Sequence, residues 1–208
     1  VLEIIAFRNI AAASQTVNTL LLFFNKFKSY YPSLHLLKGE MVVNKEIKKE
    51  IDNVIDRFGE IHDNASERLH TIRKQIQAIK GKIAQSFNKA LSHCQNLNYL
   101  DDIRESVIEN KRVLAVKAMY RRKVKGGIMG SSKTGSIVFI EPEATLNFSR
   151  ELQNLLFEES EEIKKILSQL SDYLRPRFDL INNYQSYLIH MDTVFARARY
   201  AQTINGLL

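Results

Sequence analysis

Proline is nearly absent from this 208-residue chain, with 3 residues, and glycine is sparse, with 8. Those low counts exclude a collagen-like repeat and a low-complexity chain. A hydrophobic share of 45% excludes wholesale disorder and is enough for a sizeable core. The one cysteine, Cys94, excludes a disulfide framework and any cysteine-cluster zinc site. Its isolation suits a reducing, cytoplasmic setting. No apolar run approaches the roughly 18 residues that a membrane span needs. The nearest, at 20–24, holds five residues, so no membrane partner is expected. No basic n-region precedes an apolar stretch, so no signal peptide is visible. The chain starts at Val1 and is expected to be a piece of a longer protein.

What is present is positive charge, and it is concentrated. Residues 103–140 hold nine Lys and Arg against Glu105 and Glu109, a net +7, which equals the formal charge of the whole chain. A basic charge gathered in one short segment points to a polyanionic partner.

From 47 to about 91 the pattern is helical. Ala65, Leu69, Ile72, Ile76, Ile79 and Ile83 step alternately by four and three, the seam of a helix that packs on another helix. Gly59 should break the stretch in two, and Asp63 or Asn64 should cap the second helix. Gly81 should mark a bend or a close crossing. A second run, 148–174, carries Leu152, Leu155, Ile163, Ile166, Leu167, Leu170 and Leu174 on one stripe. Glu158, Glu159, Glu161 and Glu162 fall outside that stripe and read as a solvated face. Each stripe wants a partner, so the two runs should pack antiparallel as a narrow arm. A helix of about 30 residues makes such an arm roughly 45 Å long.

Between these runs the period changes. Short segments rich in Val and Ile at 107–110, 112–119, 123–129 and 136–140 read as strands of a small antiparallel sheet. Gly126-Gly127 and Gly130-Ser131-Ser132 supply turn chemistry. On the second segment, Leu114, Val116, Ala118 and Tyr120 form the better core face. The terminal regions read as further helices, with Pro176 ending the returning one. Phe23, Phe24, Phe27, Tyr30, Tyr31, Phe178, Tyr184 and Tyr187 read as core at the base of the arm. The fold class is therefore mostly α, a helical core with two long antiparallel helices and an inserted antiparallel sheet. The boundaries are core at 1–62, outgoing helix at 63–102, basic sheet at 103–145, returning helix at 146–175 and core again at 176–208.

Catalytic and cofactor chemistry find little support. Residues 127–134, GIMGSSKT, look like a phosphate-binding loop, but Ser132 stands where such a loop needs glycine before its lysine. A strand rather than a helix is expected to follow, so the field of a helix N-terminus is missing. The five histidines are scattered, with no paired metal spacing. Cys94 lacks a His/Asn constellation and reads as an idle thiol. No catalytic set, metal or cofactor is expected in this chain.

The basic sheet remains. Arg112, Lys117, Arg121, Arg122, Lys123, Lys125 and Lys133 can reach phosphates, and Ser131 and Ser132 lie beside them in a loop that can touch a backbone. Charges on adjacent residues at 121–125 make both faces of a strand there basic. Tyr120 is the only aromatic amid them, which gives base stacking little support. The plainer alternative is a sheet whose cations merely protect its edges.

Four blocks now resemble one family: 59–73 (GEIHDNASERLHTIR), 109–121 (ENKRVLAVKAMYR), 132–142 (SKTGSIVFIEP) and 192–201 (DTVFARARYA). In this order and spacing they resemble the type-two branch of the bacterial MutS family. One departure is Met129-Gly130, where the family usually has a His-Asp-like pair before the serine-rich loop. The resemblance implies a core, two lever helices and a β clamp that touches the DNA backbone without reading sequence. It further implies a full-length homodimeric ATPase using ATP and Mg, some members carrying a nuclease domain. The implied roles are DNA repair or limiting recombination through branched or mismatched DNA. Rescue of stalled ribosomes, through rRNA contact at the same basic tip, is the alternative.

Overall fold

The structure, a computed structural model, describes residues 2–206. It contains helices α1 (Ile4–Lys26), α2 (Pro32–Leu36), α3 (Glu46–Val54), α4 (Glu67–Asn96), α5 (Glu143–Leu174) and α6 (Phe178–Thr203). Strands β1 (Leu100–Ile108), β2 (Lys111–Lys117), β3 (Gly126–Ser131) and β4 (Ile137–Pro142) lie between α4 and α5. The fold is mostly α with an inserted antiparallel sheet, as the sequence periods require. Two compact units form, one from the segments up to Glu67 and from Glu162 onward, the other from residues 68–161.

In the first unit, α1 packs against α3 and α6. Phe7, Ala11, Val17, Leu21 and Phe24 recur at helical spacing and are buried together with Ile47 and Ile51 of α3. Asn18, though polar, is buried because Asn44 satisfies it. Its Nδ2 donates to the Asn44 carbonyl at 2.7 Å and its Oδ1 accepts from the Asn44 N–H at 2.9 Å. Asn44 Oδ1 in turn accepts from Glu46 N–H at 2.9 Å, which fixes the start of α3. Asp52 accepts from Arg8 at 2.7 Å and from Lys48, tying α3 to α1.

The expected aromatic core is only partly present. Phe24, Tyr184 and Tyr187 are buried, whereas Phe23, Tyr30, Tyr31 and Phe178 are exposed. α1 ends at Lys26, so Tyr30 and Tyr31 lie beyond it, where Tyr31 stacks on Phe23 and Tyr30 meets the edge of Phe27. Phe23 and Phe27 lie 4.8 Å apart between ring centres. The cap of α4 also differs. Ile61 pairs with Ile55 in an isolated antiparallel bridge, and Asp63 and Asn64 fall in the turn that follows. The helix starts at Glu67, and the Ser66 hydroxyl donates to Glu162 at 2.8 Å. Glu162 is buried rather than solvated.

In the second unit, α4 and the first part of α5 run antiparallel. Ile72, Ile76 and Ile79 meet Leu155, with Ile83, Phe148 and Leu152 packed at the side. Arg73 donates to Glu159 at 2.7 Å across the helix pair, so Glu159 too has a partner. No element crosses close over the exposed Gly81. The helix continues through it, and a Cβ there would meet no atom within 4 Å.

The sheet order is β1-β2-β4-β3. β1 and β2 are joined by Glu109 and Asn110, both left-handed at φ +49° and +60°, the hairpin turn whose twist suits antiparallel strands. Central β2 is buried on both faces, from Val113 to Val116. One face packs with Phe87 and Cys94 of α4 and with Leu100, Val138 and Ile140. β1 begins at Leu100 rather than near 107, because an edge strand can carry Asp101, Asp102, Arg104 and Glu105 without apolar alternation. The expected 123–129 strand lies instead at Gly126–Ser131, and Gly126-Gly127 are inside it. The turn that joins β3 to β4 is closed by Gly135 N–H donating to the Ser132 carbonyl at 2.9 Å.

Gly126 is required by space: a Cβ would lie 2.1 Å from the Glu141 carbonyl oxygen. In urea denaturation, Gly126→Ala is expected to cost about 2 kcal/mol or more, while Gly81→Ala gains up to about 1 kcal/mol. A neutral Gly126→Ala would contradict the β3–β4 packing. Burial alone would raise the Asp52 carboxyl, but hydrogen bonds from Lys48 and Arg8 outweigh it and hold the group below its ordinary 3.8. Its stabilisation is then complete above that value and is lost as pH falls through the folded value. The melting-temperature gap between wild type and Asp52→Asn should hold above 3.8 and close below it.

Candidate nucleic-acid interface

The basic residues reach their places through one crossover. β2 and β3 are not neighbours in the sheet, so the chain between Lys117 and Gly126 must pass from one end of it to the other. It does so as a short 3-10 helix, Ala118–Lys123, which takes up the ends of the strands expected at 112–119 and 123–129. Both ends of the crossover are tied by main-chain bonds. Ala118 N–H donates to the Ser136 carbonyl at 2.8 Å, and Glu143 N–H donates to the Lys125 carbonyl at 3.1 Å.

Its middle is held by aromatic packing. Tyr120 stacks on Tyr99 with ring centres 4.8 Å apart, and both rings join the core beneath. Lys123 Nζ lies 5.7 Å from the Tyr99 ring centre and 5.9 Å from that of Tyr120, a cation–π arrangement. With Tyr120 turned inward, Arg121, Arg122 and Lys123 are exposed in succession. Tyr99 was invisible as part of this site, because it lies 21 positions before Tyr120 in sequence, in the turn between α4 and β1.

The remaining expected residues divide by location. Lys117 pairs with Ile137 and Ser131 with Val138, so both stand at the sheet end where the 3-10 helix begins. Lys133 is exposed at the adjacent β3–β4 turn. Ser132 belongs to that turn: its Oγ accepts from Ile137 N–H at 3.1 Å and approaches the Thr134 hydroxyl at 3.3 Å. Lys125 is exposed at the opposite end, beside the start of α5. Arg112 is not a free cation. It donates twice to Glu105 Oε2, at 3.0 and 2.6 Å, reaches Asn88 at 3.1 Å and covers the Phe87 ring at 4.2 Å.

A second structural cation is Lys111. Its Nζ lies 3.0 Å from Glu141 Oε2, and the Ser149 hydroxyl donates to Glu141 Oε1 at 2.6 Å. Glu141 is only 2% exposed, so these partners must satisfy a buried carboxylate. The signal in sequence was an acid inside the apolar run of β4. The 127–134 segment forms β3 and its turn, and β4 rather than a helix follows, so no phosphate cradle of the nucleotide-binding type exists there. Burial pushes the Cys94 thiol up, away from reactivity. Among the described residues no group of three or more possible ligands could hold a metal, and no helix is long and apolar enough to cross a membrane.

A paired-helix arm bearing a sheet with a basic crossover is the architecture that these residues define. No protein-family model matches the chain. Curated proteins do. Over 172 residues, 83% of this chain and 22% of the relative, it is 31% identical to the endonuclease MutS2 of Clostridium perfringens. Over 204 residues, 98% of this chain and 26% of the relative, it is 29% identical to the endonuclease MutS2 of Pelotomaculum thermopropionicum. The same name attaches to a Lacticaseibacillus casei protein, 31% identical over 83% of this chain and 22% of its own length. The chain belongs to the type-two branch of the MutS family. It spans about a fifth to a quarter of the length of the curated relatives that it matches.

The distinction between tied and free cations is testable by urea denaturation. Lys111→Met leaves Glu141 buried without its counter-charge and is expected to cost about 3 kcal/mol. Lys133→Met should stay within about 0.5 kcal/mol of wild type. Equal effects would refute the assignment.

Proposed function

We propose that this chain is the lever-and-clamp segment of a MutS-type protein and grips DNA through its phosphate backbone. The observation that carries this reading is the row Arg121, Arg122 and Lys123, exposed together on a turn that Tyr120 anchors to the core. Lys133 and Lys117 extend the positive edge at the same sheet end, where the neutral hydroxyl of Ser131 also stands. Cations without a shape to match base edges neutralise phosphates and carry no sequence information. In this reading α4 and α5 are the levers and the sheet is the clamp.

The relatives' printed name, endonuclease MutS2, supports a role in DNA processing for the full-length protein. By that likeness the full-length chain forms an ATP- and Mg-dependent homodimer that acts on branched or mismatched DNA, limits recombination and cuts DNA through a domain elsewhere in the chain. The present segment supplies grip and no chemistry.

Fluorescence anisotropy against a four-way junction, plain duplex and structured RNA tests the grip. Salt-sensitive DNA binding is expected, with a log–log slope of roughly −3 to −5 for three to five phosphate contacts. The Arg121→Glu/Arg122→Glu/Lys125→Glu variant should lose it. Absence of saturable DNA binding, or tighter binding to RNA, would overturn the proposal.

A further inference from the structure

The crossover does more than display charge, because it roofs a cavity. A space of about 320 Å³ lies under residues 123–125, between α4, the sheet and the first turn of α5. Its lining includes Ala90, Tyr99 and Val124, partly buried side chains that form an apolar and aromatic wall over the fully buried Leu114. Lys123 and Lys125 also line it and are at the same time exposed, so they flank its opening. Neither lysine has a carboxylate partner among the described residues, unlike Lys111 and Arg112.

An apolar slot of this size, with two cations at its rim that have no carboxylate partner among the described residues, fits one class of group well. The volume lies at the lower end of the range for small-molecule sites, about 300–1,000 Å³. A flat ring enters against the tyrosine and aliphatic wall, and an anionic group attached to it remains outside on the lysines. A nucleotide has that division, with a π-faced base and a phosphate on either side of its sugar. Duplex DNA cannot offer it, because its bases are stacked and paired. The lining also includes His93 and Glu143, whose ring nitrogens and carboxylate can meet the polar edge of a base.

We infer that this cavity receives one unpaired base of a DNA strand whose phosphates rest on Lys123 and Lys125. The inference rests on the DNA-gripping reading and adds a preference to it. The crossover holds any backbone, while the cavity favours a site where a base is already out of the stack. Gaps, bulges and branch points supply such bases at little cost.

The test compares a fully paired duplex with the same duplex carrying a single-base bulge, using the 208-residue chain. The bulged duplex is expected to bind about tenfold tighter, the span of one base–aromatic stack. Ala90→Phe fills the cavity and should remove that preference while leaving binding to the paired duplex unchanged. Ala144→Trp, from the α5 wall, serves where thermal melting shows Ala90→Phe to be unfolded. Equal affinity of wild type for both DNAs, or a preference that survives in the folded filled variants, overturns the base site and leaves the backbone grip standing. Loss of all DNA binding by wild type overturns the grip itself and the base site with it.

Discussion

The second unit depends on how one carboxylate is kept satisfied. Glu141 is buried at the end of β4, between the strand that supplies Lys111 and the helix that supplies Ser149. A buried, unpaired carboxylate costs several kcal/mol, so β2, β4 and α5 must hold a common register or lose the fold. The same stretch of β4 approaches β3 so closely that only glycine fits at 126. Charge satisfaction and steric contact thus fix one corner of the sheet, and the strand order follows. β3 is held beyond β4, and the chain must cross over to reach it.

That crossover explains why the basic residues differ in what they do, though composition counts them alike. Lys111 and Arg112 face carboxylates that the fold places beside them, and they serve the interior of the unit. Arg121, Arg122, Lys125 and Lys133 have no carboxylate partner among the described residues. Their positive potential is available to a ligand, and a protein field of this kind acts on association as well as on affinity. Lys123 stands between the two groups, shared by a pair of tyrosine rings and the solvent.

Much of this was legible in the sequence where one period dominated. Leu69, Ile72, Ile76 and Ile79 step at helical spacing, and all four are buried on α4. Leu114 and Val116 were readable as core for the same kind of reason. The basic segment was legible as charge but not as shape. Residues 118–123 alternate no better as a strand than as a turn, and the 3-10 helix is set by a strand order that is non-local information. Arg112 could not be told from Arg121 without Glu105 and Phe87 folded beside it. The glutamates at 158–162 looked like a solvated face because Arg73 and Ser66, their partners, are more than eighty positions away. The exposed aromatics after α1 misled for a different reason. Their ring-on-ring contact is local, so apolar character alone did not imply a place in the core.

The two main-chain bonds at the ends of the crossover have a mechanical meaning. The Lys125 carbonyl is tied to the first N–H of α5, and the Ala118 N–H is tied to the strand that leads into that same helix. Any force applied at Arg121 and Arg122 is therefore carried along a short backbone path into the N-terminal turn of a 32-residue helix. The same load reaches β2 and β3 through the chain itself, so α5 shares it with the sheet. The segment that displays the charge is also the buckle of a strap, and the helix is where the strap is sewn on.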